Sequence, residues 1–137
     1  MVILFIILFI FSILVSIYID RSHKKKYLER LKITRKYLTD EEILNFYHNS
    51  EFSETSILEL WHEVANNFDV PSGYLRPEDE LVGMGIINFW GDHPKLEDIS
   101  DIAIDRMKAL NKQIDLQDIS TLDDYIRALA VKKQKKY

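Results

Sequence analysis

The first 19 residues, MVILFIILFIFSILVSIYI, carry no charge, no glycine and no proline, and only two serines interrupt the apolar run. A helix built from them has no polar face, so water cannot be its surroundings on any side. At 1.5 Å per residue it would span about 28 Å, close to the hydrocarbon thickness of a bilayer. Leucine and isoleucine near its centre each favour insertion by roughly 0.3 to 0.6 kcal/mol, and no charged residue opposes them. The reading is a single transmembrane helix over residues 1–19. A cleaved signal peptide would need a basic start, a shorter apolar stretch and a small-residue cleavage site. Only Met1 precedes the run, and the other two features are absent.

Eight cations follow at once: Arg21, Lys24, Lys25, Lys26, Arg30, Lys32, Arg35 and Lys36. By the positive-inside rule this flank stays cytoplasmic, which predicts a single-pass protein of the plasma (inner) membrane, expected to be bacterial, with its N-terminus outside. Arg21, Lys24, Lys25 and Lys26 form the membrane flank, and His23 belongs to the same hydrated segment. Residues 20–37 read as a basic juxtamembrane stalk. Leu28, Leu31, Ile33 and Leu38 lie among its charges, with little periodicity, as the helix runs on beyond the bilayer.

Residues 38–131 form one domain of opposite character, with 20 acidic and 6 basic residues. Phosphate backbones bind through Lys and Arg, so nucleic acid is not an expected partner. A protein with a basic surface is. Residues 132–137 make a short basic tail. No cysteine is present, which excludes disulfides, thiolate metal sites and a cysteine nucleophile.

Helical signals recur through the domain. Thr39 and Glu42 stand at capping-box spacing and open a short helix to about His48. Ser56 and Glu59 repeat that spacing, with Ile57, Trp61, Val64, Ala65 and Phe68 on one face. DVPSGYLRPEDEL turns the chain, its two prolines and glycine interrupting helix. After the apolar segment LVGMGIINFWG, read as a loop, a helix beginning near Pro94 presents Leu96, Ile99, Ala103, Met107 and Leu110 together. A last helix opens at Ser120-Thr121 and aligns Leu122, Tyr125, Ile126 and Leu129, with Lys132 and Lys133 suited to its C-terminal end.

This order resembles an acyl carrier protein over about residues 54–130. Phe68, Val70, Leu75, Asp79 and Leu81 match the family's turn after the first helix and the start of its long loop, and ISTLDDYIRAL resembles the start of its last helix. The resemblance implies an all-α fold: a transmembrane helix followed by a small carrier-like bundle. Carriers attach phosphopantetheine to a serine in Asp-Ser-Leu, and the equivalent tripeptide here is Asp92-His93-Pro94. An imidazole cannot form the phosphodiester, so no cofactor is expected. Ser100 is the nearby hydroxyl that a shifted alignment would offer, although it falls within the helix. The family's acidic second helix corresponds to Glu97, Asp98, Asp101 and Asp105, which implies that partner docking outlives the arm.

Other chemistry finds little support. His62-Glu63 lacks the second histidine of a zinc-protease helix, position 66 being Asn. His48, His62 and His93 stand in separate segments, so no metal is expected. VGMG matches neither a P-loop nor a dinucleotide fingerprint. The expectation is therefore a non-catalytic, membrane-anchored binding module. Phe89, Trp90, Asp92, His93, Glu97, Asp98, Asp101 and Asp105 are its candidate partner-binding residues, with Trp90 as an anchor of the kind that dominates interfaces. The rival readings are a carrier modified at a non-standard serine and an immunity-type protein that neutralises a basic effector.

Overall fold

The computed structural model describes residues 1–84 and 94–134, and these are helical, joined by turns and two isolated β-bridges. Helix α1 runs from Val2 to Thr34, 33 residues without a break. Its apolar part is long enough to cross a membrane, and no protein covers it. Then follow α2 (Asp40–Asn45), α3 (Glu54–Asn67), α4 (Leu81–Met84), α5 (Pro94–Ala109) and α6 (Leu122–Leu129), with single 3-10 turns at Ser72–Tyr74 and Leu116–Asp118.

Helix α3 is the hub, and α2, α5, α6 and the Ser72–Tyr74 turn all pack on it. Ile57, Leu60, Trp61, Val64 and Ala65 are its buried residues, four of them among those the 3.6-residue period selects. Trp61 is fully enclosed; its indole N–H donates to the carbonyl of Ser72 at 3.0 Å, so the large ring is buried without stranding its polar atom. Ile99, Ala103 and Met107 of α5 and Leu122, Tyr125, Ile126 and Leu129 of α6 close the core.

Helix α3 begins at Glu54, with Ser53 as its first flanking residue, and not at Ser56. The Ser56 hydroxyl instead accepts the N–H of Val131 at 2.9 Å, a contact across 75 residues. The lysines after α6 also differ from expectation. Lys132 bridges Glu51 at 3.0 Å and Lys133 bonds the 50–51 backbone, whereas Lys112 supplies the cation at the end of α6, donating to Ala128 O at 3.0 Å. Of the apolar segment read as loop, Leu81–Met84 is a helical turn with Leu81 and Met84 buried.

Helices α3 and α5 both end in left-handed residues, Asp69 (φ 52°) and Asn111 (φ 53°). In each the following N–H reaches back to the last turn, Val70 to Ala65 O and Lys112 to Met107 O, both at 2.9 Å. This is the hydrogen bonding of a Schellman cap, with Asp and Asn where glycine is commonest.

The segment expected to act as a stalk packs against the domain. Leu31 is buried in the core, and Tyr27 and Leu28 are partly buried against it. Arg35 grips Asp79 through two N–H donors at 2.7 Å each and donates a third bond to Tyr74 O at 2.9 Å. Lys24 donates to Phe68 O and to Asp69, both at 3.0 Å. Positions 24, 27, 28 and 31 thus form one seam down α1, and Arg35, just past its end, continues it.

Candidate functional site

The acidic residues of α5 occupy one stripe. At about 100° per residue, Glu97, Asp98, Asp101 and Asp105 fall within an arc of about 100°, opposite the face that carries Ile99, Ala103 and Met107. All four are exposed. Asp105 has Lys108 at 3.5 Å; among the described residues no ion pair engages Glu97, Asp98 or Asp101. Among the described residues, therefore, nothing neutralises most of the negative charge that the stripe presents.

Two features hold that stripe in place. Asn67 donates its side-chain amide to Lys95 O at 2.7 Å, joining the end of α3 to the start of α5. Farther along, Arg106 of α5 meets Glu63 and Glu59 of α3, with its closest contacts at 2.6 and 2.8 Å respectively. The two helices are consequently antiparallel. Tyr125 of α6 donates to the same Glu63 at 2.6 Å, so one carboxylate ties three helices together. Burial, aided by that carboxylate, pushes the Tyr125 phenol above its ordinary range, which keeps it a neutral donor.

Ser100 is half-buried and donates its hydroxyl to Leu96 O at 2.7 Å, within the helix. It lines a small cavity of about 40 Å³ with Leu81, Ile99, Ala103, Ile119 and Tyr125. A hydroxyl so placed turns toward the core and not toward a loading enzyme. Phe89, Trp90, Asp92 and His93 lie outside the described residues, so the structure bears only on the α5 part of the expected surface.

Two of the described histidines, His62 and His48, serve local contacts. His62 faces Asp40 at 3.1 Å, and His48 bonds the carbonyl of Asn45 at 3.1 Å. No group of three or more metal-binding side chains occurs among the described residues.

At the foot of the apolar helix the flanking cations divide. Lys24 is committed to Phe68 O and Asp69, and its ammonium holds the Asp69 carboxyl below the usual range. Lys25 and Lys26 remain exposed. Beside them a cavity of about 240 Å³ opens between α1 and the domain, lined by Asp20, Arg21, Tyr27, Phe68, Pro94 and Lys95 among others. Sequence reasoning missed this cavity and the Arg35–Asp79 clamp, because single charges carry no periodic signature. Comparison of the chain with protein families, curated proteins and solved structures finds no match to any of them.

Proposed function

We propose that the protein is a membrane-anchored, non-catalytic binding module whose domain has the organisation of an acyl carrier without the attachment serine. The apolar part of α1 spans the plasma membrane with its N-terminus outside, and the exposed Lys25 and Lys26 lie just beyond the cytoplasmic headgroups. The carrier-like organisation is supported by the order α3, loop, α5, α6, and by burial of the matching residues Phe68, Val70, Leu75 and Leu81.

The observation that carries the reading is the exposed acidic stripe of α5, set opposite the core and largely without ion-pair partners among the described residues. Free carboxylates in one row fit a basic protein surface, and such rows contribute chiefly to encounter rate and specificity. Anchoring confines the search to the membrane plane and raises effective concentration.

Crosslinking of the full-length protein in native membranes, followed by capture and mass spectrometry, tests the proposal. A reproducible partner should be enriched with the natural sequence and reduced at least tenfold by Asp98→Lys with Asp101→Lys, and the complex should weaken as salt rises. Equal recovery from the reversed variant would remove the stripe from the interface.

A further inference from the structure

We infer that the cavity at the foot of α1 holds the headgroup of an aminophospholipid, one bearing both a phosphate and a primary ammonium. The inference rests on the membrane-spanning reading of α1. If the span ends at Ile19, then Asp20 to Lys24 climb through roughly the first 7 Å beyond the hydrocarbon, the depth of the headgroup layer, and Tyr27 stands just above it. The cavity is lined from one side by Asp20, Arg21, Lys24 and Tyr27 and from the other by Phe68, Asp69, Met84, Pro94 and Lys95.

Its walls and charges have separate uses. Tyr27, Phe68, Met84 and Pro94 offer apolar surface to the carbon atoms of the headgroup itself. The volume, about 240 Å³, lies below the range of about 300 to 1,000 Å³ that takes a drug-sized molecule. It accommodates a headgroup and leaves the acyl chains in the bilayer.

Lys24 and Asp69 neutralise each other at 3.0 Å, with Lys95 also 3.7 Å from Asp69. Arg21 and Asp20 have no ion-pair partner among the described residues, and the two are adjacent on the cavity wall. A guanidinium forms forked bonds with a phosphate, helped here by the Lys95 ammonium. A carboxylate accepts hydrogen bonds from a primary ammonium, which choline cannot donate. A purely anionic headgroup would leave Asp20 facing negative charge. The pair therefore selects a headgroup of both signs.

The test uses the full-length protein in a neutral detergent, with thermal unfolding followed as phosphatidylethanolamine, phosphatidylglycerol, phosphatidylcholine or soluble phosphoethanolamine is added. Phosphatidylethanolamine should raise the midpoint by about 4 °C at a concentration well above its dissociation constant, and native mass spectrometry should show one retained lipid. Arg21→Ala should abolish the shift. Asp20→Ala should make phosphatidylethanolamine and phosphatidylglycerol equivalent, which a merely structural role for Asp20 would not do.

Equal shifts from all three lipids, a larger shift from phosphatidylglycerol, or an undiminished shift in Arg21→Ala would each overturn the assignment. So would soluble phosphoethanolamine acting as well as the lipid, since the ligand would then not come from the bilayer. Alkaline carbonate extraction of cell membranes separates this from the anchoring itself. Protein that stays in the membrane fraction but shows no lipid selectivity sinks the cavity alone, whereas release into the soluble fraction sinks both.

Discussion

Gly73 sits where two stretches of backbone cross. A Cβ there would stand 2.6 Å from Leu38 O and 2.6 Å from the Tyr37 ring, too close for either to remain in place. Gly73 O also accepts the Leu38 N–H at 2.9 Å, so the crossing is bonded as well as tight. Tyr37 meets Tyr74 edge to face at 5.2 Å on the same side. Gly73→Ala should cost about 1 to 3 kcal/mol through overpacking, lowering the unfolding midpoint by roughly 4 to 10 °C. Gly83 supplies the control. A Cβ there meets only Glu80 Cβ at 3.9 Å, within ordinary contact, and it lies in the α4 turn. Gly83→Ala should leave the midpoint unchanged or raise it slightly. Circular dichroism melts of the two variants decide the matter; equal midpoints would mean that the crossing is not tight in solution.

Among the elements, α6 is short, eight residues, and depends on its cap. Thr121 accepts the Asp124 N–H at 3.1 Å, and Asp124 returns by accepting the N–H of Thr121 at 3.0 Å and of Ser120 at 3.1 Å. The Thr121 N–H, with help from Ser120, holds the Asp124 carboxyl below its ordinary range. A depressed carboxyl stabilises the fold at pH values above its unfolded pKa, about 4, and that contribution fades as pH falls through the folded value. Asp124→Ala should therefore lose about 1 kcal/mol near neutrality, with the gap to the natural protein steady between pH 5 and 8 and shrinking below about pH 4. Urea titrations at each pH measure the gap, and one that widened in acid would contradict the assignment. This helix was legible from its sequence because cap and apolar period are both local: Leu122, Tyr125, Ile126 and Leu129 are all 1% exposed or less. The apolar face of α5 was legible for the same reason, with Ile99, Ala103 and Met107 buried as the period selects. The cap of helix α3 is expected three residues late, at Ser56 in place of Ser53, since a serine that receives a bond from Val131 looks identical in sequence to one that caps. The foot of α1 was illegible for a different reason. Its seam of Tyr27, Leu28 and Leu31 is only about one turn long, and the positions above and below it are taken by Lys24 and Arg35, which resemble every other cation in the flank.

For the molecule as a whole, the consequence of that seam is that the apolar helix and the domain share one rigid connection. Residues 20–37 would be a flexible tether if they were solvated on every side, and the domain would sample many orientations. Instead α1 continues without a break from its apolar part to Thr34, and the domain grips it at Lys24, Leu31 and Arg35. Asp79 also accepts the Arg76 N–H at 2.8 Å, while Arg76 donates to Lys36 O at 2.7 Å, so the clamp binds the loop and the linker together. With the Asp79 side chain only 10% exposed, removal of Arg35 leaves a carboxylate short of its strongest donors, a loss of about 1.5 to 3 kcal/mol for charged hydrogen bonds. That corresponds to opening of the seam about ten- to a hundredfold more often. Trypsin provides the measurement, because the eight Lys and Arg residues of the flank are all potential cleavage points. In the natural protein, cleavage at Lys24 and Arg35 should be slow and that at exposed Lys25 and Lys26 limited by their helical backbone. An Arg35→Ala variant should be cut throughout residues 24–36 at least tenfold faster, with little change in the α3–α5–α6 core, and Asp79→Asn should fall between the two. Equal rates in all three proteins would show that the flank is a free tether. On the proposed function, the acidic stripe of α5 would then stand at no fixed angle to the membrane, and a partner would have to be captured by charge alone and not by a presented surface.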